Sequence, residues 1–285
     1  MRPTTGRLLI SCPDATGVVA AVTGFLAEHR GNLLEADQHT DHGTRAFSMR
    51  VEFEASELSV RRDGFLEAMA SIVDRFRMRT KLEWSDTPRR VAVLCSKQTH
   101  CVSDLLWRFA EAELPGELAM VVSNHTVARS AAEHAGVPFH HLPVTPETKP
   151  EQERAMLELL EREGIHTVVL ARYMQVLSPG VVDAMPGRII NIHHSFLPAF
   201  AGAKPYHQAF DRGVKLIGAT SHYVTAELDE GPIIAQQTRT VSHRDGVEDL
   251  VRKGRDLERV VLADAVRLHL EDKVLLAGHK TIVFG

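Results

Sequence analysis

From Arg90 onward, short apolar runs of strand length alternate with longer segments of helical spacing, which restricts the fold more than any other feature of the chain. The strand candidates are residues 90–94, 117–122, 139–142, 166–170 and 188–192, and helical periodicity marks 102–112 and 150–163 between them. Repetition of this kind predicts a doubly wound, mostly parallel sheet. Residues 215–223 and 232–240 then read as strands flanking a loop, and Val247–Leu270 as a long closing helix.

The segment before Ser85 follows a different plan. Residues 7–12 form a short apolar strand, and 17–29 carry Val18, Val19, Val22, Phe25 and Leu26 at helical spacing. Residues 32–40 and 46–53 read as strands paired around Asp41-His42-Gly43, followed by a helix over 56–76 and a strand over 78–84. This βαββαβ order is ferredoxin-like. The polar, proline-containing run Ser85-Asp-Thr-Pro-Arg-Arg90 marks a boundary, which places domains at residues 1–85 and 86–285. With 285 residues, 44% of them hydrophobic, the chain can fill two cores.

A net charge of −4 argues against a broad nucleic-acid surface. No apolar run approaches membrane-spanning length, and Met-Arg-Pro-Thr-Thr-Gly-Arg lacks an apolar signal core, so no membrane association is expected. Cys12, Cys95 and Cys101 form neither an even framework nor a Cys-x-x-Cys pair, consistent with a reducing cytoplasm. The sixteen histidines include the pairs His140-His141 and His193-His194, but adjacent strand residues point to opposite faces and no closed ligand set appears at short spacing. No metal is expected.

Chemistry concentrates in Asn191-Ile-His-His-Ser-Phe-Leu-Pro198 and in Glu227-Leu-Asp-Glu-Gly-Pro232. The apolar Arg188-Ile-Ile before Asn191 reads as a strand, so Asn191 and His193 leave its carboxyl end on one face, where open α/β sheets place ligands. An amide, an imidazole and the carboxylate of Asp229 suit attack on a carbonyl carbon that bears a nitrogen leaving group. Asn191 can donate to an oxyanion, His193 can donate a proton, and Asp229 can orient a nucleophile, hold the imidazole protonated or accept a proton. Ser195 lacks the Gly-x-Ser-x-Gly turn of hydrolase serines and reads as a loop hydroxyl capping local backbone.

On these residues the chain resembles the N10-formyltetrahydrofolate-using formyltransferases, whose catalytic Asn, His and Asp match Asn191, His193 and Asp229. The longer runs His193-His194-Ser-Phe-Leu-Pro-Ala-Phe, Gly202-Ala-Lys-Pro-Tyr-His207, Gly213-Val-Lys-Leu-Ile-Gly-Ala-Thr220 and Ala171-Arg-Tyr-Met-Gln-Val-Leu-Ser178 are similar to the formyltetrahydrofolate deformylase branch, over nearly the whole chain. The resemblance implies hydrolysis of 10-formyltetrahydrofolate to formate and tetrahydrofolate, in one-carbon metabolism and formate supply for purine biosynthesis, with no tightly bound cofactor. It also implies that the pterin lies between Arg172, Met174, Gln175 and Leu177 on one loop and Val224 and Leu228 on another. His194, Lys204, Tyr206 and His207 are further candidates to line the pocket, with core or surface roles as the alternative.

Ser11-Cys-Pro-Asp-Ala-Thr-Gly17 resembles the first loop of ACT domains, which bind amino acids or other small effectors, often at a dimer interface. Asp14, Thr16, Gly17 and Asn32 are therefore candidates for an amino-acid effector loop, and a homo-oligomer is expected. Capping of the following helix by Asp14 or Thr16 accounts for the same residues without a ligand. Where many such loops have Asp-Arg-x-Gly, this chain has Asp14-Ala-Thr-Gly17.

Two other functions are open to such a chain. One is transfer of the formyl group to an amine such as glycinamide ribonucleotide. Its acceptor needs a phosphate site, yet Ser96-Lys-Gln-Thr-His-Cys101 holds no glycine to form a tight amide nest, although Lys97 can contact an anion. The other is a sensor with a catalytically dead folate site, against which the intact trio argues.

Overall fold

The computed structural model describes residues 3–199 and 205–285. Two compact units emerge: one runs to Pro88 and includes Asp272–Ala277 and Ile282–Gly285, and the other comprises Arg89–Glu271 with Gly278–Thr281. The sequence boundary assigned everything after residue 85 to a second domain, whereas these C-terminal segments return to the first unit.

In the first unit, β1 (Thr5–Pro13), β2 (Asn32–Asp41), β3 (Ala46–Glu54) and β4 (Arg79–Trp84) form an antiparallel sheet in the order β2-β3-β1-β4. The Asp41 carboxylate accepts the Gly43 amide at 2.8 Å, an Asx turn that closes the β2–β3 hairpin. Leu8 and Ile10 of β1, Val51 and Phe53 of β3, and Val22 and Leu26 of helix Val18–Glu28 share one buried core. Phe65 stacks on Phe53 with ring centroids 5.2 Å apart, and Trp84 meets Phe53 edge-on at 5.9 Å.

Two local expectations change. The helix over 56–76 is broken into a 3-10 turn, Arg62–Gly64, and helices Phe65–Ala68 and Ala70–Phe76. The Ser59 amide donates to the His29 carbonyl at 3.0 Å, so long-range bonding wins over helical periodicity there. Neither Asp14 nor Thr16 caps helix Val18–Glu28: Gly17 occupies the cap position at φ 94° with no side-chain hydrogen bond, and the Asp14 amide donates to Arg45.

The returning tail is anchored by charge. Arg50, 1% exposed, pairs with Glu35 and, at 2.7 Å, with Glu52, and its Nε donates to the Asp272 carbonyl at 3.1 Å. Lys81 holds the Asp272 carboxylate at 3.2 Å.

The second unit is α/β. β5 (Arg90–Cys95), β6 (Glu117–Ser123), β7 (Phe139–His141), β8 (Thr167–Ala171), β9 (Ile189–His193), β10 (Leu216–Tyr223) and β11 (Ile233–Thr240) form one sheet in the order β11-β10-β9-β8-β5-β6-β7. The five strands from β9 to β7 in that order are parallel, and β10 and β11 add antiparallel strands at one edge. Val91–Leu94 and all of β8 are buried because helices cover both faces of a parallel sheet. Strand order reverses at β5, so the crevice beyond the carboxyl ends of β5, β8 and β9 is the place a ligand enters such a sheet. Helix His100–Ala110 begins two residues before the periodicity does and takes His100 and Cys101 into its first turn. Helices Arg129–His134, Pro179–Ala184 and Pro205–Arg212, and the terminal strands Val274–Ala277 and Lys280–Val283, are additional to the sequence reading.

Phe53→Ala removes the ring on which Phe65 and Trp84 rest. It is expected to destabilise the first unit by about 3–5 kcal/mol, read as a lower urea midpoint; an unchanged midpoint would show that the site refills.

Candidate active site

Strand β9 ends in Asn191-Ile-His193, and its pleat sets both polar side chains on one face, in the wall of one cavity. Antiparallel pairing with β10 sets His222 opposite Asn191. The Asn191 Nδ2 donates to His222 Nε2 at 3.2 Å, and His222 Nδ1–H donates to the Tyr223 carbonyl at 2.9 Å. That pair fixes the imidazole and leaves Asn191 one amide hydrogen and its carbonyl for a ligand.

Asp229 reaches the same point from the loop joining β10 to β11, with its backbone left-handed at φ 59°. The loop folds back tightly at Gly231, where a Cβ would sit 1.7 Å from the Tyr223 carbonyl oxygen, so only glycine fits. The Asp229 carboxylate lies 3.1 Å from His193 Nδ1 and 3.6 Å from His222 Nε2. The hydrogen bond from His193 holds its carboxyl well below the usual carboxylate range against the opposing effect of burial. His193 Nδ1–H thus faces Asp229, and its buried Nε2 has no hydrogen-bond partner among the described residues. The structure therefore brings Asn191, His193 and Asp229 together and adds His222, which sequence reasoning missed. The available signal was a histidine within the apolar run of β10, opposite the motif strand.

The cavity has a volume of about 580 Å3. Met174, Val176 and Leu228 expose 59%, 56% and 65% of their surface, which makes them open apolar walls; Gln175, Leu177 and Val224 complete the two predicted loops. Met174 is set by its amide donating to Ser96 Oγ at 2.9 Å, and Ser96 in turn donates to Asn124. Arg172 also lines the cavity, but only 8% of it is exposed and its guanidinium faces Gln98, His194 and Glu258 rather than the apolar walls. Tyr206, His207 and His194 line the cavity as well, whereas Lys204 lies outside the described residues. Ser195 donates to the Ala199 carbonyl at 2.7 Å, a loop cap. Asp14, Thr16, Gly17 and Asn32 belong to the first unit, where all four are exposed.

Beneath the trio lies a buried ionic cluster. Glu258, 1% exposed, accepts from Tyr206 Oη and His100 Nε2, each at 2.7 Å, and lies 3.5 Å from Arg172 Nε. Burial opposes its charge, but His100 and Arg172 outweigh that and hold its pKa below the usual range. His100, Cys101 and Glu258 have the residue types and proximity of a metal site. However, both Glu258 oxygens already accept hydrogen bonds, and burial pushes the Cys101 thiol well up, away from the thiolate a metal needs.

The rings of His193 and His194 lie 5.1 Å apart at 31°, although strand alternation predicted opposite faces. β9 ends at His193, and the bend that follows turns His194 back toward the cavity.

Comparison with known proteins matches residues 89–266 to the formyl transferase family model and residues 6–63 to the ACT domain model. A formyltetrahydrofolate deformylase from Synechocystis sp. is 49% identical over 285 residues, covering all of both chains. The crystal structure of a formyltetrahydrofolate deformylase from Pseudomonas syringae pv. tomato superposes with a TM-score of 0.97 at 48% identity, over 100% of this chain and 96% of that one. Glycinamide ribonucleotide transformylase 1 from Symbiobacterium toebii is more distant, with a TM-score of 0.66 and 35% identity over 70% of this chain and 95% of its own. Full-length likeness across both units thus sets the deformylases apart from the transformylase, and this chain belongs to the formyltetrahydrofolate deformylase family.

Proposed function

We propose that the protein hydrolyses 10-formyltetrahydrofolate to formate and tetrahydrofolate. The observation that carries this is the convergence of Asn191, His193, His222 and Asp229 on one cavity whose other walls are apolar. The N10-formyl group is an amide on an aniline-like nitrogen, so resonance into its carbonyl is weak and the leaving amine is feebly basic. Water needs placement more than a covalent relay.

In this reading the pterin lies between the 172–177 loop and Val224–Leu228, with the formyl carbon at the trio. Asp229 aligns a water and takes its proton as the C–O bond forms. Its depressed pKa makes it a poor resting place for that proton, which passes on to N10 as the C–N bond breaks. The free amide hydrogen of Asn191 and the Nε2–H of protonated His193 hold the tetrahedral oxyanion. The chain needs no tightly bound cofactor for these steps.

The same proposal extends to the setting. The ACT-matched unit is a regulatory and oligomerisation module with an amino-acid effector near Asp14, Thr16, Gly17 and Asn32, and the protein works as a cytoplasmic homo-oligomer supplying formate for purine biosynthesis. Three free, buried cysteines favour a reducing compartment. Among the described residues, no helix is long and apolar enough to cross a membrane.

The decisive assay is formate release from 10-formyltetrahydrofolate by purified protein with no amine acceptor present; absence of formate would sink the hydrolytic reading. Asp229→Asn is expected to lower kcat by at least about 10²-fold with folate binding retained in calorimetry. Near-normal turnover would remove Asp229 from the mechanism. Asn191→Ala and His193→Ala should each lose on the order of 10²–10³ in kcat, and the double variant less than the product, since both serve one oxyanion. Strict additivity in that cycle would assign them to separate steps.

Acid stability provides an independent test. A carboxylate with a depressed folded pKa contributes stability that is complete above its unfolded value, about 3.9, and is lost as pH falls below it toward the folded value. Melting curves of wild type should therefore fall below about pH 4 with a component that Asp229→Asn lacks. Parallel wild-type and variant curves would contradict the His193–Asp229 pairing.

A further inference from the structure

His194 carries a constraint that the reaction above does not use. Its Nδ1 meets the Arg172 guanidinium at hydrogen-bonding distance. A guanidinium offers only N–H groups, so Nδ1 presents its lone pair and the ring's one proton sits on Nε2. Arg172 is itself clamped, because its Nε donates to Gln98 Oε1 at 3.0 Å and lies 3.5 Å from Glu258. Tyr206 and His100 fix Glu258 from two other elements. The phenol of Tyr206 fits because residue 254 is glycine; a Cβ there would lie 2.1 Å from it.

The ring of His194 therefore has one orientation and one tautomer. The charged and titratable groups around it are Arg172, Glu258, His193 and Asp229, and the Tyr206 ring lies at 6.1 Å. Its Nε2 has no partner among the described residues, and the residue lines the same cavity as the trio. Burial, then the Arg172 charge, push its pKa down to about 4, so it stays neutral at neutral pH.

We propose that His194 is a further catalytic residue, whose Nε2–H donates to the oxygen of the attacking water and so selects water over an amine as nucleophile. This rests on the hydrolytic reading above. Water has two lone pairs and two hydrogens: one pair attacks the formyl carbon, the other accepts from Nε2–H, and one hydrogen points to Asp229. A primary amine has a single lone pair. Once that pair is aimed at the carbon, nothing remains to accept from Nε2–H, and a desolvated donor is left unpaired beside an N–H. His194 keeps its proton throughout, since Nδ1 is held by Arg172 and cannot relay; the water proton passes through Asp229 to N10 as the C–N bond breaks.

The test uses purified full-length protein, 10-formyltetrahydrofolate and methoxyamine, a small amine that is unprotonated at neutral pH, with formate and N-methoxyformamide both quantified. His194→Asn keeps an acceptor for Arg172 but lacks the distal donor, while His194→Gln places an amide N–H near the position of Nε2–H. The Asn variant is expected to lose about 10²-fold in kcat for formate with KM within about twofold, and to send at least about tenfold more of the formyl group to methoxyamine. The Gln variant should recover much of the rate and the preference for water. Wild-type rate and partition in the Asn variant would overturn the proposal, as would equal losses in both variants with the partition unchanged. No formate from wild type would fail the hydrolytic reading itself and this inference with it, whereas normal wild-type formate with an indifferent Asn variant fails this inference alone.

Discussion

The antiparallel pairing of β10 onto β9 is the contact on which the site depends. From β9 to β7 every pairing in this sheet is parallel, and parallel strands alone cannot bring a chain straight back to its own site. By running the opposite way, β10 sets His222 across from Asn191, and the loop that follows it folds back to bring Asp229 within 3.1 Å of His193. The close approach of Gly231 to the Tyr223 carbonyl then leaves that loop little freedom. Strand β9 and the β10-loop segment, some 30 residues apart in sequence, thus meet within hydrogen-bonding range, each held by backbone geometry rather than by a flexible side chain alone.

The acid and base groups are kept distinct by their surroundings. Asp229 is surrounded by hydrogen-bond donors and retains its charge, while His194, only one residue from His193, is kept neutral by burial and a guanidinium. Removing charges from water is costly, and Arg172 and Glu258 offset much of that through each other and through His100, Gln98 and Tyr206. Arg172 itself has a left-handed backbone at φ 61°, strain tolerated where a side chain must point into a site.

The sequence reads well where a repeating physical rule operates. Period-two burial and apolar runs locate β1, β3, β5, β6 and β8 to within a residue or two, and Asn191-Ile-His193 declares its shared face through strand alternation alone. Legibility fails where long-range contacts override local pattern. The 56–76 segment has helical spacing but bends to bond with His29, and Gly17 rather than Asp14 or Thr16 begins the next helix. His194 breaks the alternation because its strand has already ended. Glu258 lies within the long closing helix, and its bond to Tyr206, 52 residues earlier, ties it to the site. Arg172 lines the cavity, and no local pattern announces that its guanidinium also joins that interior cluster.

The tail held by Arg50 and Lys81 has a consequence for the order of assembly. Asp272–Ala277 and Ile282–Gly285 follow Pro88 by some 180 residues, yet they belong to the unit whose sheet lies before Pro88. Until they arrive, Arg50 has Glu35 and Glu52 beside it but not the Asp272 carbonyl, which follows only after some 180 intervening residues are made. Of these two units, the one whose sheet is made earlier is therefore completed only after the other has been synthesised.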